Sequence, residues 1–496
     1  MPYQHGVKVT EAATGVLAPI TGTAGLQVVI GTAPVNLADD PYHAANTPII
    51  AYSWAEAVSK LGYSDDYSKY TLCASMYAAF KLFGVAPVIF INVLDPSKTE
   101  HKTNNTAQTV TVTNMEATVN TPGILLDTVT VATVGESAAT LTKDTDYSLA
   151  FNDEGKVVIT LTATGRAAAA TSLSVTSTSI NPTAVTSDDI IGTSSGGTEK
   201  GMEVIRQVYP RLGMTPGLLL APGWSHISDV GIALAAKCEN INGCFRCEAL
   251  VDIDSRSSGC TVYDSVKTAK ENAGCSSPHV MALWPCVAAG SQKLWFSAVM
   301  GALIAYTDAA NDDVPNLSPS NKLIGITGTV LADATYTDGA GWDKEVYLDQ
   351  LQANAVNGAG VTTALNLNGW RSWGNNSAAY PASTDPKDRW FCCRRFFSWW
   401  GNSFILTYAQ RVDNPANRRL IEAIVDSENI RGNAYVAQGK CAVARIEFIA
   451  DENPVTELLN GNLKFHQYLS PYPPAENIQN TLEFDPDALA SALNGG

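Results

Sequence analysis

Along the first hundred residues the apolar positions change period, and each change marks an element. Gly25 to Thr32 (Gly-Leu-Gln-Val-Val-Ile-Gly-Thr) is a short apolar run, rich in β-branched residues and bounded by glycine, as a strand buried on both faces should be. From Ser53 the apolar residues Trp54, Ala57, Val58 and Leu61 recur at spacings of three and four, with Ser53 placed as N-cap and Gly62 as stop, so a helix is expected. A second helix is predicted from Tyr70 to Phe83, ended by Gly84, and Pro87 to Val93 reads as a central strand. Strand, helix, helix and strand in that order open an α/β layer.

From His101 to about Gly197 threonine, serine, alanine and valine take over and the period drops to two. Val110-Thr-Val, Val129 to Val134, Tyr147 to Phe151, Lys156 to Thr162 and Ser172 to Thr176 read as strands, with Asn152-Asp-Glu-Gly155 as a turn. A small β-sandwich is expected, left through a flexible Ser194 to Thr198 linker. The α/β pattern then resumes with strand Gly217 to Ala221, helix Ser228 to Lys237 and strand Glu248 to Ile253, which places the sandwich inside a loop of a sheet that continues on both sides. Leu294 to Tyr306 is the most apolar run, too short for the ~20 residues of a membrane span, and is read as a buried helix.

The C-terminal third opens on the aromatic stretch Trp390 to Trp400. A helix is predicted from Asp413 to about Asn429, with Asn414 as cap and Pro415 in the first turn. Strand Cys441 to Ala450, a short helix Pro454 to Leu459, strand Asn462 to Leu469 and a last strand Thr481 to Phe484 follow. The fold class expected is therefore an α/β and α+β core, a mixed sheet with flanking helices, interrupted by an inserted all-β sandwich-like domain and ending in extended N- and C-terminal arms.

At 496 residues the chain exceeds what one hydrophobic core usually supports, so two or three domains are expected. Apolar residues make up 45% and charged residues 16%, a globular composition with an uncharged surface suited to meeting protein. Lys plus Arg number 32 against 48 Asp plus Glu, a formal charge of -16, which argues against direct nucleic-acid binding and against anionic lipid as a partner. Met1 to Ala13 lacks the apolar centre of a secretory signal, so export by that route is not expected. Ten cysteines in such a chain are read as reduced thiols.

Candidate chemistry is sparse. Cys238, Cys244, Cys247 and Cys260 include one Cys-x-x-Cys, but the second pair of a zinc ribbon is missing and small buried thiols explain the cluster. Ala221-Pro-Gly-Trp-Ser-His226 invites comparison with a nucleophile elbow, yet Ile227 stands where the second glycine belongs, and His279 and His466 are the later candidate bases. Asp252 and Asp254 share one side of a strand with Asp229 nearby, a pattern open to a cation site or to solvated strand-end carboxylates. No phosphate-loop, dinucleotide or His-Glu-x-x-His motif occurs. Arg389, Arg394, Arg395, Arg411, Arg418, Arg419 and Arg431 gather positive charge in the C-terminal third, either in salt bridges with Glu422, Asp426 and Glu428 or facing a partner.

Several stretches, taken in order, resemble the contractile tail sheath proteins of phages, R-type bacteriocins and related contractile injection systems. They are Gly6-Val-Lys-Val-Thr-Glu11, Val29-Ile-Gly-Thr-Ala33, Leu219-Leu-Ala-Pro-Gly-Trp-Ser225, Val251-Asp-Ile-Asp254 and Ser318-Pro-Ser-Asn-Lys-Leu-Ile324. Asn354 within Gln352 to Val361, Gly369-Trp-Arg-Ser-Trp-Gly374, and Arg389-Trp through Arg394-Arg395 complete the series. The resemblance spans both flanks of 101–197 and is silent on that segment.

The resemblance implies a non-enzymatic subunit without cofactor or metal. It would polymerise with itself as homohexameric rings in a helical sheath, with the tail tube, baseplate and tail terminator proteins as partners, no direct nucleic acid and no membrane insertion. The location implied is the virion tail, assembled in the bacterial host cytoplasm. It divides the chain into an arm (1–20), a discontinuous core (21–100 and 198–380), the insert (101–197), a C-terminal sheath domain facing the tube (381–475) and a second arm (476–496). Val7, Lys8, Val9, Thr10 and Glu11, and Thr481, Leu482, Glu483 and Phe484, are then candidate inter-subunit strands, since a lone strand completes itself on another chain's sheet edge. Arg418, Arg419 and Glu422 are candidate tube contacts. The rival readings are an α/β hydrolase-like enzyme with an inserted carbohydrate-binding sandwich, opposed by Ile227, and an extracellular adhesin, opposed by the missing signal.

Overall fold

Eight strands form the central sheet of the computed structural model, which describes residues 23–135 and 138–494. Their order is Pro48–Ala51, Val88–Asn92, Gln27–Gly31, Leu218–Leu220, Glu248–Asp252, Val280–Leu283, Val361–Asn366 and Trp370–Trp373. The six inner strands run parallel, and an antiparallel strand closes each edge. Every residue of Gln27–Gly31, Val88–Asn92 and Glu248–Asp252 is buried, which is why these strands read as continuous apolar runs and not as alternation.

The first helix is Trp54–Leu61, with the Ser53 hydroxyl accepting from the Glu56 amide and Gly62 turning out at φ 73°. The second begins at Thr71 as an α-helix, widens into π turns over Tyr77–Phe83 and stops at Gly84 with φ 64°. Its start lies hard against the first strand: a Cβ on Gly31 would sit 2.3 Å from Thr71 Oγ1. Thr32 and Thr71 exchange amide-to-hydroxyl hydrogen bonds at 3.2 Å there, so glycine at 31 is required by the approach. Helix Phe296–Ala309 is almost wholly buried under the sheet. Among the described residues no helix is long and apolar enough to cross a membrane.

Residues 102–180 make two three-stranded antiparallel sheets. One orders Lys102–Thr111, Ser172–Ile180 and Thr130–Thr133, the other Glu116–Val119, Val157–Leu161 and Tyr147–Phe151. Burial alternates along them, and Val119, Val131, Ile159, Leu173 and Val175 belong to an apolar cluster separate from the main one. The Asn152 turn forms as its composition requires: the side-chain oxygen accepts from the Glu154 and Lys156 amides, and Gly155 takes φ 71°. The chain returns to the main core early, since Ile180, Val185 and Ile190 pack there and Lys98 pairs with Asp189 at 2.7 Å.

Three expectations need correction. The Ser194 to Thr198 stretch is a tight hairpin, not a linker: Ser194–Ser195 pairs with Thr198–Glu199 across Gly196 and Gly197, both at positive φ, the geometry that a Gly-Gly pair favours. The C-terminal helix is Arg418–Ala437, capped by Asn417 through the Leu420 amide at 2.9 Å, with Asn414 and Pro415 in the turn before it. Two asparagines compete for the cap, and the second, past the proline, wins. The helix also runs beyond Asn429, because Gly432 is a contact glycine and not a stop: a Cβ there would lie 2.0 Å from the Ala444 carbonyl oxygen. Lastly, Thr481–Phe484 pairs with no strand among the described residues, and Leu482 and Phe484 are 89% and 74% exposed. The segment Val7 to Glu11 lies outside the described residues.

Candidate assembly surfaces

The would-be catalytic turn is a buried structural knot. Ser225 is 2% exposed, and its hydroxyl donates at 3.0 Å to Asp252, which also accepts from the Ser297 hydroxyl and amide. The Asp252 amide in turn donates to Ser225 Oγ, so the serine ties the strand end to the turn. Burial pushes the Asp252 carboxyl up to about 6, against hydrogen bonds from Ser297 and Ser225 that favour its ionised form. His226 stacks flat on Trp295 with ring centroids 4.5 Å apart. His279 faces the Cys247 carbonyl and Glu248, and His466 faces Glu452. Among the described residues Ser225 therefore has no histidine partner, and the hydrolase reading is not favoured.

The other candidates disperse. Asp254 forms a two-point pair with Arg256 at 2.9 and 2.8 Å, and Asp229 occupies the first turn of helix Ser228–Glu239. Cys238 and Cys247 are buried side by side, where desolvation raises both thiols, while Cys244 is exposed. Among the described residues no three His, Cys, Asp or Glu side chains converge as metal ligands.

The C-terminal arginines divide into an internal set and an exposed one. Arg395 and Asp308 are each 1% exposed and form a two-point pair, with the Ala24 carbonyl as a third contact at 3.0 Å. Ser398 donates to Glu248 at 2.6 Å and Asn402 bonds the Arg246 backbone, so helix Phe391–Tyr408 is pinned across the start of strand Glu248–Asp252. Arg431 lies 3.9 Å from the Trp400 ring centroid and 3.4 Å from Glu428, joining helix Arg418–Ala437 to that helix. Burial pushes the Glu428 carboxyl up and the Arg431 guanidinium down. Sequence reasoning offered Glu428 as a salt-bridge partner for these arginines but did not reach Asp308, which lies near the end of an apolar helix. Arg418, Arg419 and Glu422 are brought together at the exposed start of their helix, and Arg418 pairs with Glu422 at 2.7 Å.

No protein-family model matches the chain. The tail sheath protein of Burkholderia phage BcepMu is 27% identical over 512 aligned residues, covering 100% of this chain and 99% of that protein. Along its whole length the chain is similar to a contractile tail sheath protein. The tail sheath protein of Escherichia phage P2 is 25% identical over 303 residues, 60% of this chain and 70% of that one. Among solved structures, the contracted sheath complex of the PVC extracellular contractile injection system matches with a TM-score of 0.57 at 13% identity, over 98% of this chain and 99% of that. The contracted helical sheath of the anti-feeding prophage gives 0.55 at 13%, over 97% and 99%. The shared fold is the mixed sheet with flanking helices.

Among the described residues two surfaces stand open. Strands Cys441–Glu447 and His466–Pro471 form a two-stranded antiparallel sheet, so each keeps one edge unpaired among the described residues. Beyond it the chain runs from Tyr472 to Phe484 without helix or strand, bearing Ile478, Leu482 and Phe484 in the open, and ends in helix Pro486–Leu493, capped by Asp485.

Proposed function

We propose that this sheath protein polymerises as stacked hexameric rings around a tail tube in a metastable extended state, and contracts to drive the tube through the host envelope for genome ejection. The observation that carries the reading is the likeness to the BcepMu sheath protein along the whole of both chains. The relevant physics is two packings of nearly rigid bodies, with the extended one held kinetically. Tube, baseplate and terminator proteins are the partners, the host cytoplasm is the place of assembly and the virion tail the destination.

Val7 to Glu11 and Thr481 to Phe484 act as exchanged strands, a role supported by the free edges beside His466–Pro471 and by the bare Leu482 and Phe484. Segment 101–197 is a peripheral insert, supported by its separate apolar cluster. Arg418, Arg419 and Glu422 face the tube, supported by their exposure at one helix end. Negative-stain microscopy of the purified chain, alone and with its tube protein, tests the proposal. Striated tubes are expected, and a folded protein that stays monomeric at high concentration with the tube present would overturn it.

A further inference from the structure

Between Pro473 and Phe484 the chain makes no backbone hydrogen bond among the described residues, and a single polar contact ties it to the core. The Glu476 carboxylate accepts from Arg389 Nη2 at 2.5 Å. The two ends of that contact are unlike. The Arg389 guanidinium is held by its own core, 4.0 Å from the Trp390 ring centroid and 4.5 Å from that of Tyr380, while its Nε donates to Asn376 Oδ1 at 3.0 Å. A planar cation stacked in this way is already oriented and loses little freedom when a carboxylate arrives. Glu476 comes from an unpaired strand-less segment, and Pro474 to Ile478 form part of the lining of a groove of about 830 Å3 shared with Asn321, Asn354, Asn357 and Trp373. Just past the contact the apolar side chains are bare, with Ile478 87% and Leu482 89% exposed.

We propose that Arg389 and Glu476 form a one-point latch that parks the root of the C-terminal segment on its own subunit and aims the bare stretch beyond it. Pro471, Pro473 and Pro474 stiffen the lead-in, so one anchor beyond them suffices to set the direction. The pair is partly exposed, 23% for Arg389 and 46% for Glu476, which makes it weak and sensitive to salt. A contact of this class holds the parked state by about two- to fivefold, little enough for a second copy of this chain to capture the segment. That consequence rests on the sheath reading, while the latch itself is a property of one subunit.

The test uses the full-length monomer with Cys244→Ser and Gln479→Cys, which leaves the introduced thiol as the exposed one among described residues, and reads the mobility of a spin label at 479. E476Q should raise the mobile fraction about two- to fivefold at low salt, and E476R, which sets two cations face to face, should raise it further. The swap R389E with E476R should return it towards the parked value, and high salt should bring the unaltered chain to the level of E476Q. A label in E476Q and E476R as immobile as in the parent overturns the latch, as does a swap that folds normally but restores nothing. Failure to form tubes bears on the sheath reading and leaves this measurement untouched.

Discussion

Replacing Asp308 by asparagine should loosen the docking of helix Phe391–Tyr408 on the core. Both members of the Arg395–Asp308 pair are 1% exposed, and removing one partner of such a pair costs about 3–5 kcal/mol because the remaining charge is stranded. Two features reduce the loss here. Arg395 keeps its bond to the Ala24 carbonyl, and the new amide oxygen can still accept one of the two guanidinium donors. With hydrogen bonds to a charged group worth about 1.5–3 kcal/mol, the expected destabilisation of D308N falls to about 2–3 kcal/mol. Removing both charges, in D308L with R395M, should cost about 1 kcal/mol or less, since apolar groups of similar volume often replace a buried pair without loss. Urea unfolding of the monomer by tryptophan fluorescence is the assay, because Trp399 and Trp400 lie in the same buried cluster as Phe396, one residue from the pair. A shift below about 1 kcal/mol in D308N at unchanged m-value, or a double variant as unstable as the single one, would refute the reasoning.

Asp252 gives a pH test: its folded value of about 6 lies above the unfolded one, so the native state binds the extra proton. Stability should therefore be greatest below about pH 4 for this group and fall by about 3 kcal/mol as pH rises to about 6, seen as a wild-type decline relative to D252N across that window. Equal slopes for the two proteins would remove the assignment. Gly432→Ala should push helix Arg418–Ala437 off strand Cys441–Glu447 at a cost of about 1–3 kcal/mol, read as faster hydrogen exchange in that strand; unchanged exchange would contradict the close contact. R418E with R419E should weaken tube binding at low salt while subunits still associate, and no change at low salt would rule that face out as the tube contact.

What could be read in advance follows from how local the deciding physics is. Ser53 and Gly62 bound their helix as expected because a cap and a left-handed stop are settled within a few residues. Strands Gln27–Gly31 and Val88–Asn92 were equally legible, since burial on both faces leaves a continuous apolar run. The candidate elbow read correctly as a turn, but the role of Ser225 needed Asp252 and Ser297, residues from two other elements. Likewise nothing near Arg395 announces Asp308, and nothing near Arg431 announces Trp400. Asn414 and Asn417 are both good caps, so residue type alone does not choose between them, and composition alone does not distinguish the flexible glycines of a linker from Gly196 and Gly197 held at positive φ in a hairpin.

The register of the 102–180 segment has a consequence for how the chain folds. Strand Gln27–Gly31 lies between Val88–Asn92 and Leu218–Leu220, so its second neighbour arrives only after the whole intervening stretch has been made. Loops that long slow the search for a partner. Yet Lys102 pairs with Ile180, which brings the two ends of the excursion side by side. Once those antiparallel strands close, the connection from Asn92 to Leu218 behaves as a much shorter loop, with a closure entropy smaller by about 1 kcal/mol on the logarithmic dependence on length. The segment that looks most like an interruption of the sheet thus acts, during folding, as a splint that holds the break closed.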